Sequence, residues 1–275
     1  MQYKHSIPPI GDNTLPIAFI ILCAFFLFST KLNAQYNVYA YVEKDKAALE
    51  GIIVEKYYTA TASDVKDTMG GKLAEGSVTY RIFVDMKPGY KLQSVYGTTS
   101  HPLFFESSTL FYNNVKYGSE TSDYINDKII DLHNTALDSW ISMGAGTKFH
   151  NAVLKSEDND SSIIKSKAEL AKVDGLKWGD IFATAYIGID IKFFVDSVNA
   201  KRFSTNNGGW ANYAGAQGPT PENRVLIAQL TTNGILKFEF NVQIGTPEGN
   251  AIQFVAKRAR DREVVNKQLS YKSNK

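Results

Sequence analysis

Apolar and polar side chains alternate along several stretches of the chain, most regularly at residues 78–85. One face of this stretch carries Val78, Tyr80, Ile82 and Val84. A period of two, rich in β-branched and aromatic residues, is typical of a half-buried β-strand. Pro88 and Gly89 follow closely and favour a turn, because proline fixes φ and glycine accepts positive φ. The pattern therefore predicts a strand that ends in a tight turn.

Two further alternating runs follow this strand, and turn-forming residues separate all three. The predicted strands cover residues 78–85, 92–96 and 103–112. Consecutive short strands with tight breaks are typical of a meander, in which each strand pairs with the next. A meander is stable only when its apolar face is buried, so this stretch is predicted to pack against another layer.

The same alternation occurs on both sides of the meander. Further strands are predicted at residues 36–42, 51–58, 137–143, 181–198, 224–231, 235–244 and 251–256. Asn233 and Gly234 separate two of these runs, which is a strong signal for a hairpin. Helical spacing is found at residues 125–132, where a short surface helix is predicted. About ten strands, long loops and little helix predict an all-β fold, an antiparallel β-sandwich that resembles a jelly roll.

The first 34 residues have the layout of a secretory signal peptide. Lys4 precedes an uncharged apolar run at residues 15–29, and Ala34 supplies a small residue for cleavage. The run is shorter than the roughly 20 residues that a permanent membrane helix needs. We therefore expect cleavage after Ala34, export to the periplasm or beyond, and no membrane span in the mature protein. An uncleaved N-terminal anchor is the alternative.

Composition suggests one exported domain between two flanking segments. The predicted organisation is a signal peptide at 1–34, a β-sandwich domain at 35–256 and a basic tail at 257–275. The tail holds seven Lys or Arg residues and two Asp or Glu residues. It is expected to be solvated, and a short basic helix that docks on an anionic surface is the alternative.

Charge and cysteine content exclude several classes of protein. A net charge of +2 gives no reason to expect nucleic acid as the main partner. Cys23 is the only cysteine and lies inside the apolar leader. The residues before it, 20–22, lack the small side chain expected before a lipidated cysteine. After cleavage the chain would have no disulfide, no thiol nucleophile and no cysteine-bound zinc.

Four stretches of the chain are distinctive in their residues: EGIIVEKYY, GSVTYRIFVDMKPGYKLQSVYG, LDSWISMGAG and ENRVLIAQLTTNGILKFEFNVQIGTP. These stretches resemble a secreted domain that recurs in large extracellular proteins of Bacteroidota-type bacteria. The resemblance covers about residues 49–256. Copies of this domain often lie beside adhesion-like modules and a type IX sorting domain, so the resemblance implies export and a surface role rather than a reaction. No sorting module is visible after residue 256, which leaves the route beyond the periplasm open.

Signals for catalysis are weak along the chain. His133, Asp138 and Ser139 are close in sequence, but no G-x-S-x-G motif is present, and proximity in sequence does not build a triad. His101 and His150 do not have zinc-binding spacing. Glycoside hydrolysis needs two opposed carboxylates, and no pair of acidic residues is singled out.

An acidic segment near residue 160 contains the metal candidates. Asp158, Asp160, Ser162 and Glu169 occupy positions one, three, five and twelve of an EF-hand-like loop. Ile163 stands at position six, where an EF-hand needs glycine, so a true EF-hand is not expected. A looser calcium loop built on Asp158 and Asp160 is the alternative. Neither a cofactor nor calcium dependence is expected.

Aromatic residues in a glycine-rich stretch are the best binding candidates. Residues 204–221 are rich in Gly, Asn and Pro and are predicted to form a loop. Trp210 and Tyr213 would offer flat rings for stacking against sugars, and Asn207 and Asn212 would bond hydroxyl groups. In the alternative, Trp210 fills the core and the glycines make room for it.

The leader, the strands and the weak catalytic signals predict a secreted or cell-surface binding or structural module without catalysis. Polysaccharides or components of the cell envelope are the expected partners, in glycan recognition or adhesion. A carbohydrate-active hydrolase on a β-sandwich scaffold is the alternative.

Overall fold

A computed structural model describes residues 40, 42–130, 132–157, 184–195 and 200–274. Val42–Lys275 falls into one compact unit. The predicted signal peptide at 1–34 and the candidate calcium ligands Asp158 and Asp160 lie outside the described residues. Within the described residues, no helix combines the length and the apolar character needed to cross a membrane.

Strands dominate the part of the chain that the structure describes, which confirms the all-β prediction. The strands are β1 (Leu49–Thr59), β2 (Val78–Met86), β3 (Lys91–Gly97), β4 (Leu103–Ser107), β5 (Trp140–Ile141), β6 (Ala145–Thr147), β7 (His150–Asn151), β8 (Thr184–Ile187), β9 (Arg202–Thr205), β10 (Gly208–Ala216), β11 (Arg224–Thr232), β12 (Leu236–Glu239), β13 (Asn241–Gly245), β14 (Ala251–Val255), β15 (Glu263–Val265) and β16 (Ser270–Lys272).

In the part of the chain that the structure describes, helical structure is limited to short segments. Helix α1 is Ala62–Val65, and residues 42–45 are also helical. Single 3-10 turns occur at Ser122–Tyr124, Asp127–Ile129, Thr135–Leu137, Lys155–Glu157, Ile191–Phe194 and Lys267–Leu269. The strand predicted at 36–42 is therefore wrong at its described end, and the helix predicted at 125–132 is replaced by shorter turns.

The strands form three larger sheets and one small hairpin sheet. The first sheet has the order β1-β2-β11-β5, the second β15-β14-β13-β3-β10-β8 and the third β16-β12-β4-β9. The pairs among these strands are antiparallel except β14 with β15, which are parallel. Aromatic side chains of the second and third sheets meet in a common core, where Trp210 lies 6.3 Å from Phe105 and 6.4 Å from Phe203 between ring centroids.

The predicted meander is wrong in its pairing, although its strands are real. β2, β3 and β4 lie in the first, second and third sheets respectively, and none of them pairs with the next. Each pairs instead with a strand far along the chain, such as β2 with β11 and β4 with β12. A tight turn limits the distance between strand ends, but the chain can pass from one sheet to another within that distance.

The Asn233–Gly234 signal fails for a similar reason. β11 belongs to the first sheet and β12 to the third, so they do not form a hairpin. Gly234 does not have the positive φ of a hairpin turn. A Cβ atom at Gly234 would lie 2.5 Å from Ser107 Oγ and 2.7 Å from Thr109 N. The glycine is thus explained by close packing against the segment after β4.

Residues 257–274 complete two sheets, so the predicted solvated tail is wrong. β15 joins the second sheet beside β14, and β16 joins the third beside β12. Leu269 is fully buried, and Ser273 Oγ accepts a hydrogen bond from Leu236 N at 3.0 Å. The basic composition predicted a solvated tail because the cationic side chains do point to solvent. The backbone pairing and a few apolar side chains nevertheless hold the segment in place.

The strand predicted at 181–198 is shorter than expected. β8 ends at Ile187, and Gly188 follows with φ of +61°. Asp190 then accepts a hydrogen bond from Lys192 N at 3.1 Å and begins a 3-10 turn. The positive φ and the capping side chain end the extended conformation that alternation alone predicted to continue.

Candidate functional site

The glycine-rich stretch forms a strand, where a loop was predicted. β10 covers Gly208–Ala216 and pairs with β3 on one side and β8 on the other. A Cβ at Gly209 would overlap the carbonyl oxygen of Val95, and one at Gly208 would overlap that of Ile187. Glycine in a strand often marks such a close approach. The glycines therefore allow tight pairing and leave little side-chain bulk on the sheet.

Trp210 is fully buried, which agrees with the core alternative and corrects its assignment as a ligand platform. Its Nε1 donates a hydrogen bond to the carbonyl oxygen of Ser142 at 2.8 Å. The ring packs against Phe105 and Phe203 of the third sheet. Because Trp210 is 0% exposed, no ring surface remains for a ligand.

The other three predicted binding residues are also separated by the structure. Asn212 is only 5% exposed, and its Oδ1 accepts a hydrogen bond from Ala214 N at 3.0 Å. Asn207 is exposed at the start of β10, where its backbone N–H donates to Thr205 Oγ1 at 3.2 Å. Tyr213 is 85% exposed. Of the four candidates, Tyr213 and Asn207 are the ones that can reach a ligand directly.

A shallow apolar groove lies on the outward face of the second sheet, next to the glycines. It has a volume of about 210 Å³ and is lined by side chains and backbone of β3, β10 and β8. Ala211 faces outward between Ser94 and Ala185. Gly209, two residues before Ala211 on the same strand, also faces outward and lies between Tyr96 and Ile187. The small residues form the floor, and the larger side chains form the walls.

Two exposed apolar side chains extend this groove. Ile187 is 57% exposed at one end, and Tyr213 follows Ala211 on the same face of β10. We call the set Ile187, Gly209, Ala211 and Tyr213 the outer strip. Ile187, Gly209 and Ala211 lie in the paired parts of β8 and β10, whereas Tyr213 lies where the register between β10 and β3 shifts, between Ala211 and Ala216. Tyr213 was predicted from the sequence, but Ile187 and Ala211 were not, because residues predicted to form a loop cannot be assigned to the outward face of a strand.

Polar groups lie beside the outer strip on the side of β3. Burial raises the pKa of the Tyr96 hydroxyl, and the nearby charge of Glu263 raises it further. Glu263 Oε2 lies 3.0 Å from His101 Nε2 and accepts a hydrogen bond from Arg260 N at 2.7 Å. This contact ties the loop at residues 256–262 to the turn after β3.

The loop at 256–262, which we call the cationic loop, joins β14 to β15. Ala256 is buried, and the side chains of residues 257–262, which include Lys257, Arg258, Arg260 and Arg262, are exposed. Arg258 and Arg262 have φ values of +55° and +72°. This left-handed conformation costs an ordinary L-residue roughly 1–2 kcal/mol relative to its usual backbone, whereas glycine adopts it freely. Strained positions of this kind concentrate at functional sites.

His133 takes part in a second polar cluster. Its Nδ1 lies 3.1 Å from Asp67 Oδ2, and its ring stacks on Tyr117 with centroids 4.9 Å apart. Ser63 and Lys66 line the open cavity of about 650 Å³ beside it. His133 and Asn134 both have positive φ, and Asn114 Nδ2 donates to the His133 carbonyl at 2.6 Å. These contacts fasten the segment after β1 to the segment before β5.

Asp138 and Ser139 are not partners of His133, in agreement with the sequence argument. Asp138 is fully buried and accepts hydrogen bonds from Asn114 N at 2.6 Å and Ser119 N at 2.8 Å. Burial raises the pKa of this carboxyl group, and the backbone donors oppose that shift. Ser139 Oγ donates to the Tyr112 carbonyl at 2.7 Å. Both side chains organise loops rather than a catalytic site.

A cavity of about 440 Å³ lies at residues 72–77, 109–113 and 232–233. Hydroxyl groups at its rim bond one another, with Thr109 Oγ1 3.0 Å from Thr232 Oγ1 and 2.8 Å from Asn233 Oδ1. Because these groups already have partners, a ligand would have to exchange existing hydrogen bonds to bind there. The outer strip does not carry that cost.

Metal ligands are not gathered at any of these places. Among the residues that the structure describes, no group of three or more His, Cys, Asp or Glu side chains is arranged to hold a metal ion. Asp158 and Asp160 are outside that part of the chain, so the calcium alternative stays a prediction.

Comparison with protein-family models, curated proteins and solved structures finds no match to this chain.

Proposed function

We propose that this protein is exported and acts at the cell surface as a glycan-binding module without catalysis. The observation that carries the proposal is the outer strip, an exposed apolar band on a rigid sheet face. The sequence layout of the first 34 residues supports export.

The chemistry of the strip suits sugar rings. Tyr213 offers a flat, amphipathic ring that is 85% exposed, and Ile187 adds an apolar wall that is 57% exposed. The C–H face of a sugar gains dispersion contacts on such a surface, while its hydroxyl groups stay in water or bond polar neighbours. Ser94 lines the groove, and the exposed Asn207 directly precedes β10.

The sheet also prepares the strip for binding. β10 is hydrogen-bonded on both sides around Gly209 and Ala211, so the floor of the strip loses little freedom when a ligand binds. Among the described residues that line the groove, none carries a carboxylate, the group that glycoside hydrolysis uses in pairs. The strip is therefore better suited to holding a glycan than to cleaving one.

Retention on a panel of polysaccharides tests this proposal. The full chain should bind at least one polysaccharide, and Tyr213→Ala or Ile187→Ser should weaken that binding about fivefold through loss of contact area. Phe149→Ala is the matched control, because Phe149 is an exposed aromatic residue on the β6–β7 hairpin. Equal loss in all three variants would contradict a site at the strip. Release of new reducing ends would instead support the hydrolase.

A further inference from the structure

The cationic loop concentrates positive charge at the surface. Lys257, Arg258, Arg260 and Arg262 are exposed within six residues, and Asp261 is the one acidic residue among them. Lys257 Nζ lies 2.7 Å from Glu239 Oε2, so it is partly neutralised. No described carboxylate forms an ion pair with the three arginines. Their guanidinium groups are thus available to anions from outside.

The backbone presents these arginines in a fixed arrangement. β14 and β15 pair on either side of the loop, and within it Arg260 N donates to Glu263 Oε2 at 2.7 Å. Glu263 N donates in turn to the Arg260 carbonyl at 3.0 Å. His101 holds the same carboxylate from the turn after β3. A flexible tail would lose conformational entropy on binding, whereas these hydrogen bonds already restrict the backbone of this loop.

The left-handed backbone at Arg258 and Arg262 points to a role for their side chains. Glycine would fit both positions without strain, as it does elsewhere in the chain at Gly188 and Gly249. In the folded state, arginine at such a position carries backbone strain that glycine would avoid. Two arginines in one short loop share this disadvantage, which a function of the guanidinium groups would explain.

The loop and the outer strip adjoin each other through shared residues. Tyr96 lines the groove, and the nearby charge of Glu263 contributes to the raised pKa of its hydroxyl. Asn241 Nδ2 donates to the Tyr96 carbonyl at 3.0 Å and to the His101 carbonyl at 2.7 Å. One set of contacts therefore holds the edge of the groove, the turn after β3 and the cationic loop.

We infer that the glycan bound at the outer strip is an anionic polysaccharide, whose carboxylate or sulfate groups are held by Arg258, Arg260 and Arg262. This inference rests on the proposed function. Guanidinium groups match the planar geometry of carboxylates and the oxygen spacing of sulfates. A single chain of the polymer would then place its sugar rings on the outer strip and its charged substituents on the cationic loop.

Matched polymers separate the charge from the sugar. Polygalacturonate and its fully methyl-esterified form share a backbone, as do dextran sulfate and dextran. The full chain should bind each anionic member at least about tenfold more tightly than its neutral partner at low salt, and added salt should reduce the difference. Equal affinity for both members would overturn the inference but leave the proposed function standing. Failure to bind either would contradict both.

The double variant Arg258→Gly/Arg262→Gly tests the loop directly. It should weaken binding to polygalacturonate about tenfold and leave binding to neutral polymers unchanged. Its unfolding temperature should stay within about 2 °C of the natural chain, because relief of strain offsets the added freedom of glycine when unfolded. Lys56→Gln/Lys148→Gln removes the same charge from exposed positions elsewhere and should change neither property.

Other polyanions decide whether the loop is a glycan site. Double-stranded DNA and vesicles of phosphatidylglycerol carry negative charge without sugar rings suited to the strip. Binding to either as tight as to polygalacturonate, and insensitive to Tyr213→Ala, would overturn the inference in favour of a nucleic acid or a membrane surface.

Discussion

β2 and β10 each lie between two hydrogen-bonded strands, but only β2 is covered on both faces. One face of β2 points into the sandwich core. The other packs beneath the segment before and after β5, where Phe83 meets Ile125 and Trp140. On β10, Trp210 lies on the inward face and is buried, whereas Ala211 and Tyr213 lie on the outward face. A central strand that keeps one bare, apolar face is available for binding, whereas β2 serves stability.

Loss of Trp210 should have the largest effect on stability. Trp210→Ala removes a fully buried ring and its hydrogen bond to Ser142, which should lower the free energy of unfolding by about 3–5 kcal/mol. The urea midpoint measures this change. Glycan binding per folded molecule should be unaltered, and a loss of binding in folded protein would mean that the inward face of β10 also contributes to the site.

The covered outer face of β2 is tested by Arg81. The guanidinium stacks 3.7 Å from the Tyr57 ring centroid, and its Nε donates to Gln229 Oε1 at 2.9 Å. Arg81→Met keeps the length of the side chain but removes both contacts, so unfolding should become easier by about 2–4 kcal/mol. An unchanged urea midpoint would show that this face of β2 tolerates change as freely as that of β10.

Gly209 tests how closely β10 approaches β3. The methyl group in Gly209→Ala would overlap the Val95 carbonyl oxygen, so the two strands must separate. We expect a loss of about 1–3 kcal/mol, together with weaker glycan binding because the groove floor is disturbed. Ala214→Ser adds bulk at an exposed position of the same strand outside the outer strip and serves as the tolerated control.

Removal of Tyr213 should have the smallest effect on stability. Its ring is 85% exposed, so Tyr213→Ala should change the free energy of unfolding by less than about 0.5 kcal/mol. A loss as large as that of Trp210→Ala would mean that the ring supports the fold, and the contrast between the two faces of β10 would disappear.

The sequence located strands better than it paired them. Alternation placed β2, β3 and β11 within about two residues of their observed ends, because each has one face buried in a core. It failed at Asn233–Gly234 and between β2, β3 and β4, since pairing depends on which distant apolar face completes the core. Local signals report the turn but not the sheet that the chain enters next.

The candidate site was only partly predicted from the sequence, because burial and strand pairing depend on distant parts of the chain. Tyr213 was found from its residue type, but Trp210 was misassigned because a buried and an exposed tryptophan look alike in sequence. Gly208 and Gly209 were taken as loop residues, although they mark close strand pairing. Once residues 208–216 are treated as a strand, the alternation of Gly209, Ala211 and Tyr213 identifies one face. The cationic loop adjoins the outer strip through tertiary contacts of Glu263, and the sequence does not predict these contacts.

The most direct test of the central claim is to map the bound glycan by NMR. Backbone amide shifts would be recorded for the full chain during titration with an oligosaccharide of galacturonic acid. We predict that perturbations cluster at Ser94, Ile187, Ala211 and Tyr213, with a second group at residues 257–262. Perturbations confined to the cavity around Thr109 and Asn233, with none on the outward face of β10, would contradict the account.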